Sequence, residues 1–104
     1  MRANVYFTRE ITPEKVVELY RALGVELPGK VAVKVHSGEK GNQNFLRPEF
    51  WCPMVEEVHG TIVECNTAYG DAAGGVRDHT ESHRKLLQEH GWTKYFDVDL
   101  IDAE

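Results

Sequence analysis

Cysteine is scarce in this 104-residue chain, which holds only Cys52 and Cys65. Two thiols without C-x-x-C spacing exclude a zinc ribbon and an iron–sulfur cysteine motif. Free thiols in a reducing cytoplasm are the expectation. No signal peptide is read in the sequence, nor any apolar run near the roughly 18 residues a membrane span needs, so no membrane partner is expected. Positive charge is in short supply. Twelve Lys and Arg face seventeen Asp and Glu, a net charge of −5, which argues against nucleic acid as a partner. The deficit is uneven, with +2 over residues 1–52 and −7 over residues 53–104. Neither G-x-x-x-x-G-K-S/T nor G-x-G-x-x-G occurs, so there is no P-loop and no dinucleotide fingerprint. No serine sits in a nucleophile elbow.

What is present reads as alternating strands and helices. Asn4–Thr8 is a short β-type run. Thr12, Pro13 and Glu14 supply an N-cap hydroxyl, a first-turn proline and an early carboxylate. Val16, Leu19, Tyr20 and Leu23 then follow at helical spacing, and Gly24 is a C-terminal stop. Lys30–Val35 reads as a buried strand that breaks into the polar segment His36–Asn42. Pro48 and Pro53 disfavour one helix through both, leaving a turn near Pro48 and a short helix from Pro53 to about His59, with Met54, Val55 and Val58 on its buried side. Thr61–Cys65 is a third strand. Asp78 and Glu81 fit a capping box that opens a helix running to about His90. Tyr95–Ile101 alternates Phe96, Val98 and Leu100 with Asp97 and Asp99, a strand with one wet face.

These elements predict a single α/β domain over residues 1–104. It is a three-layer βαβαβαβ fragment with a mainly parallel sheet of about four strands. Ending directly after a strand, it reads as the N-terminal part of a longer protein. In such a sheet the loops after Thr8, Val35 and Cys65 share one rim, where open α/β folds place ligands. Gly38 and Gly41 either simply make the turn or present backbone amides to an anion. His36, directly after the strand, and nearby Glu39 are the candidate acid–base pair. His79 and His83 lie four apart on one helix face and could hold a divalent metal with a third ligand from the rim. The plainer account, a half-buried stripe in which the histidines pack and hydrogen-bond, is preferred.

Several segments together resemble a known family. They are Lys34–Asn42, Arg47-Pro48, Asn66-Thr67-Ala68-Tyr69-Gly70, Gly75-x-Arg77, Thr80-x-x-His83 and His90-Gly91. In this order they are similar to the uncharacterised, iron–sulfur-centre-associated proteins of domain of unknown function 362. The resemblance spans roughly residues 31–102 and implies that His36, Glu39, Asn42, Asn66, Thr67, Tyr69, Arg77 and His83 are motif positions. Its members usually continue further, many into a module with clustered cysteines that this chain does not show. The family carries no agreed reaction, so none follows for this chain.

Two functions are expected from this reading. One is a redox-associated, ligand-binding domain that takes a small anion or a metal at the rim. Its groups would be His36 and Glu39, with Gly38, Gly41, Asn42, Asn66, Thr67, Tyr69 and Arg77 around the ligand. The other is a non-catalytic interaction module, whose exposed sheet edge pairs with a missing C-terminal region or with a second copy.

Overall fold

A computed structural model describes residues 1–68 and 75–101. Helix α1 spans Pro13–Leu23 and starts as its sequence dictates. Thr12 Oγ1 accepts the Lys15 amide at 3.2 Å, Pro13 occupies the first turn, and Gly24 closes the helix in the left-handed region at φ 65°. Strand β1 follows at Val31–Lys34, then a 3-10 turn at Pro48–Trp51 that runs into helix α2, Cys52–Val58. Each proline sits in the first turn of its own segment, where its missing amide costs nothing. Helix α2 ends on His59 at φ 50°, one residue before the expected glycine. Strand β2 is Gly60–Glu64, helix α3 is Thr80–Glu89, and β3 is Asp99–Leu100 after a 3-10 turn at Trp92–Lys94.

The molecule is α/β, with its helices accompanying a small sheet of order β1-β2-β3, parallel throughout. Three strands form instead of the expected four. Residues 4–8 join no ladder and are largely exposed, so a run with strand-like side chains lacks the neighbour that would make it one. Of the expected strand 95–101 only two residues pair, because Trp92–Lys94 and Tyr95 still turn.

The central strand is β2, not β1. Ile62, Val63 and Glu64 are buried in succession, whereas β1 alternates between half-buried and exposed residues as an edge strand does. Val35, Ile62, Leu87 and Trp92 form the core, with Val33, Phe45, Trp51, Val55, Phe96 and Val98 packed around it. Met54, Val55 and Val58, the expected inward side of α2, are each half-buried, and Val55 packs against the core; no residue of the helix is fully buried. Helix α1 packs on α2, where Arg21 makes a two-pronged ion pair to Glu57 at 2.9 and 2.6 Å. That pair is solvent-exposed and adds little stability. Both cysteines are free thiols. Among the described residues no helix is long and apolar enough to cross a membrane.

Candidate functional site

The strand C-terminal rim is organised by a residue that the sequence reading passes over. Glu64 ends β2 with only 1% of its surface exposed. A carboxylate there must be paired or heavily hydrogen-bonded, and donors arrive from both neighbouring loops. Lys34 Nζ donates to Oε1 at 2.6 Å, as does the Cys65 amide at 3.0 Å. Oε2 accepts the Ser37 hydroxyl at 2.7 Å, the Ser37 amide at 3.2 Å and Arg77 Nη1 at 3.4 Å. Burial acts to raise the Glu64 pKa. The bonds from Lys34, Ser37 and the two amides outweigh it and hold it at about 2. Glu64 is therefore ionised at neutral pH.

Around this carboxylate the rim closes into one network. Arg77 is buried and directs Nε (2.6 Å) and Nη2 to Glu39 Oε1. The Thr67 amide donates to the Arg77 carbonyl at 2.7 Å, tying the strand β2 exit to the segment before α3. Asn66 Nδ2 donates to Thr80 Oγ1 at 3.1 Å, which turns its Oδ1 toward His83 Nδ1 at 3.0 Å. His83 Nδ1 is thus placed to donate to Asn66, and Nε2 lies 3.3 Å from Ser37 Oγ, whose own proton goes to Glu64. Burial pushes the His83 pKa down, and Arg77 and Lys34 lower it further against the opposing pull of Glu64 and Glu39. The ring is neutral at pH 7. On the far side of the loop, His90 Nδ1 (2.9 Å) and Trp92 Nε1 (3.0 Å) both reach the Ser37 carbonyl.

Gly38 is required where it stands. Its φ is 94°, and a Cβ there would lie 2.5 Å from the Phe45 ring and 2.9 Å from His90 Nδ1. Phe45 stacks on His90 with centroids 4.6 Å apart, and the Arg47 guanidinium lies 4.5 Å from the Phe45 ring centroid. Gly41 also turns through positive φ, at 76°, and the Asn42 amide donates to the Glu39 carbonyl at 3.1 Å. The glycines therefore make the turn, which is the structural role the sequence left open for them.

The rim does gather His36–Asn42, Asn66, Thr67 and Arg77 as the parallel topology requires, but not in the expected pairings. His36 is exposed, and no hydrogen bond joins it to Glu39 among the described residues. Arg77 faces two carboxylates, so its charge is already neutralised and it is not free to hold an anion. His79 and His83 diverge. His79 is the N-cap residue of α3, with a side chain 73% exposed and 3.7 Å from Asp78, while His83 is fully buried. No group of three His, Cys, Asp or Glu able to hold a metal gathers among the described residues. The Tyr69 expectation lies outside the described residues.

Ser37, His83 and Asn66 have the connectivity of a nucleophile, a base and an orienting group. Ser37 has no exposed surface, and its hydroxyl lies closer to Glu64 than to His83. A substrate carbonyl cannot reach it, and acyl transfer is excluded on geometry. One atom is left over. Glu39 Oε2 is buried and meets no hydrogen-bond partner among the described residues, although the side chain as a whole is one-fifth exposed. Glu64, Ser37 and Lys34 escaped the sequence reading. The available signal was a glutamate in an otherwise apolar strand, Thr61-Ile62-Val63-Glu64-Cys65. No protein-family model, no curated protein and no solved structure matches the chain.

Proposed function

We propose that this chain is a ligand-binding domain that uses its strand C-terminal rim to take up a small molecule bearing a hydrogen-bond donor or a cationic group. The observation that carries this reading is the unpartnered Glu39 Oε2, set beside a network in which every neighbouring charge is already matched. A buried acceptor left without a donor costs about 1–3 kcal/mol, and a ligand N–H or O–H that enters beside the one-fifth-exposed Glu39 side chain would recover it. Arg77 holds the other oxygen of Glu39 and so fixes the direction in which the free one points. A donor group is favoured over an anion because the atom left without a partner is a carboxylate oxygen, and Lys34 and Arg77 are already paired to Glu64 and Glu39. A redox-associated setting, as the motif resemblance implies, is part of this proposal.

The test is calorimetric titration with small ammonium compounds and polyols, in wild type and in Glu39→Gln. Glu39→Gln keeps the shape but removes the charge. Binding that is saturable in wild type and weakened about tenfold or more in the variant supports the reading. Equal binding by both proteins, or none by wild type, ends it.

A further inference from the structure

The charges at the rim alternate along one chain of contacts. Lys34 pairs with Glu64 at 2.6 Å, Glu64 with Arg77 at 3.4 Å, and Arg77 with Glu39 through Nε at 2.6 Å. Two cations therefore stand against two carboxylates, and the four sum to zero. The neighbouring oxygens are as fully engaged as the charges. Glu64 Oε1 accepts two donors and Oε2 three, and the Ser37 carbonyl accepts two. Glu39 Oε1 takes both Nε and Nη2 of Arg77. Among the described residues one buried side-chain acceptor remains, Glu39 Oε2, on a side chain one-fifth exposed.

A site of this kind asks for one donor and no charge. An ammonium would leave the cluster with a net positive charge, placed beside the guanidinium that already holds the same carboxylate. It would also bring three N–H groups to a single acceptor, and stripping water from an ion costs far more than stripping it from a neutral group. A hydroxyl brings one O–H. It completes the one acceptor through a charge-assisted bond and keeps the sum at zero. The exposed part of Glu39 leaves a wet side toward which the hydroxyl's own lone pairs can turn.

We propose that the rim selects a neutral alcohol over an amine of the same carbon skeleton. This inference rests on the ligand-binding reading given above and names the chemical class of the ligand.

The experiment titrates the full chain, labelled with nitrogen-15, with cyclopentanol and with cyclopentylammonium, each of which carries one polar group. The Arg77 Nε–H and the Glu39 amide are the reporters. Saturable shifts are expected with cyclopentanol, and cyclopentylammonium should bind at least about tenfold more weakly. Raising salt from about 0.01 to 1 M should leave the alcohol's affinity within about twofold, since no counter-charge is screened. Glu39→Gln should weaken the alcohol by about tenfold, because its bond is to a charged acceptor. The comparison of the two compounds and the salt series need no variant. Cyclopentylammonium binding as well as the alcohol or better overturns the selection for a neutral group and leaves the ligand-binding reading standing. Alcohol binding that salt weakens strongly, or that Glu39→Gln leaves unchanged, also overturns it. Shifts with neither compound overturn both.

Discussion

The rim and the N-terminal arm treat polarity in opposite ways. At the rim, Ser37, Glu64, Arg77 and His83 are buried, although each carries a group that water solvates well. In the arm, Val5 and Phe7 stand in solvent, although each would gain by leaving it. Partners decide the difference. Glu64 is covered because Lys34, Ser37, Cys65 and Arg77 replace its hydration in full, whereas among the described residues α1 borders the arm without covering Val5 or Phe7. Burial here follows the supply of matching groups, and residue type alone does not predict it.

Breaking the rim's side of that contrast should have the largest effect. Glu64→Ala strands Lys34 and Arg77 beside an empty position and should cost about 3–5 kcal/mol in urea unfolding, the usual loss when one member of a buried pair is removed. Acid attacks the same residue more gently. The folded Glu64 pKa of about 2 lies below its ordinary 4.5, so its stabilisation is complete above pH 4.5 and disappears as pH falls toward 2. The loss amounts to about 3 kcal/mol. His83, also depressed in the folded state, adds an earlier decline that starts as pH drops below about 6.5, where the unfolded chain takes the proton first. Thermal unfolding across this range should show two successive falls, and His83→Asn should abolish only the upper one.

Smaller effects sharpen the comparison. Gly38→Ala places a methyl against Phe45 and His90 at positive φ and should cost about 2 kcal/mol. Trp92→Phe removes one of two donors to the Ser37 carbonyl, and about 1 kcal/mol should disappear from the unfolding free energy. Phe7→Ser, in a dilute sample, should change monomer stability by no more than about 0.5 kcal/mol. A large loss there would mean that the arm is part of the monomer's core, and the contrast between the two regions would fail.

Elements with complete local signals were legible in the sequence. Helix α1 has its cap, its first-turn proline and its closing glycine, and the chain obeys all three. The parallel connections, and with them the meeting of the His36–Asn42 and Asn66–Thr67 segments, also followed from strands alternating with helices. Elements that need a distant partner were not legible. Asn4–Thr8 and most of 95–101 have strand composition, but a strand exists only where an edge receives it. The capping box at Asp78 failed because the helix starts at Thr80. His79 takes the N-cap position, and Ser82 Oγ donates to the His79 carbonyl at 3.1 Å and to the Val76 carbonyl at 2.6 Å. The expected pairing of His36 with Glu39 rested on closeness in sequence. At the end of a strand neighbouring residues point to opposite sides, and His36 goes to solvent while Ser37 goes in. Arg77, thirty-eight positions from Glu39, is the residue that claims that carboxylate.

The Ser37 carbonyl, shared by an imidazole and an indole, has one more consequence. Trp92 is wholly shielded from solvent, while Trp51 is only half so, and these are the chain's two tryptophans. A rearrangement of the His36–Asn42 loop must loosen the hydrogen bond at the Trp92 ring and so alter the light that ring emits. The protein carries its own fluorescent gauge of that loop's conformation, readable without a label.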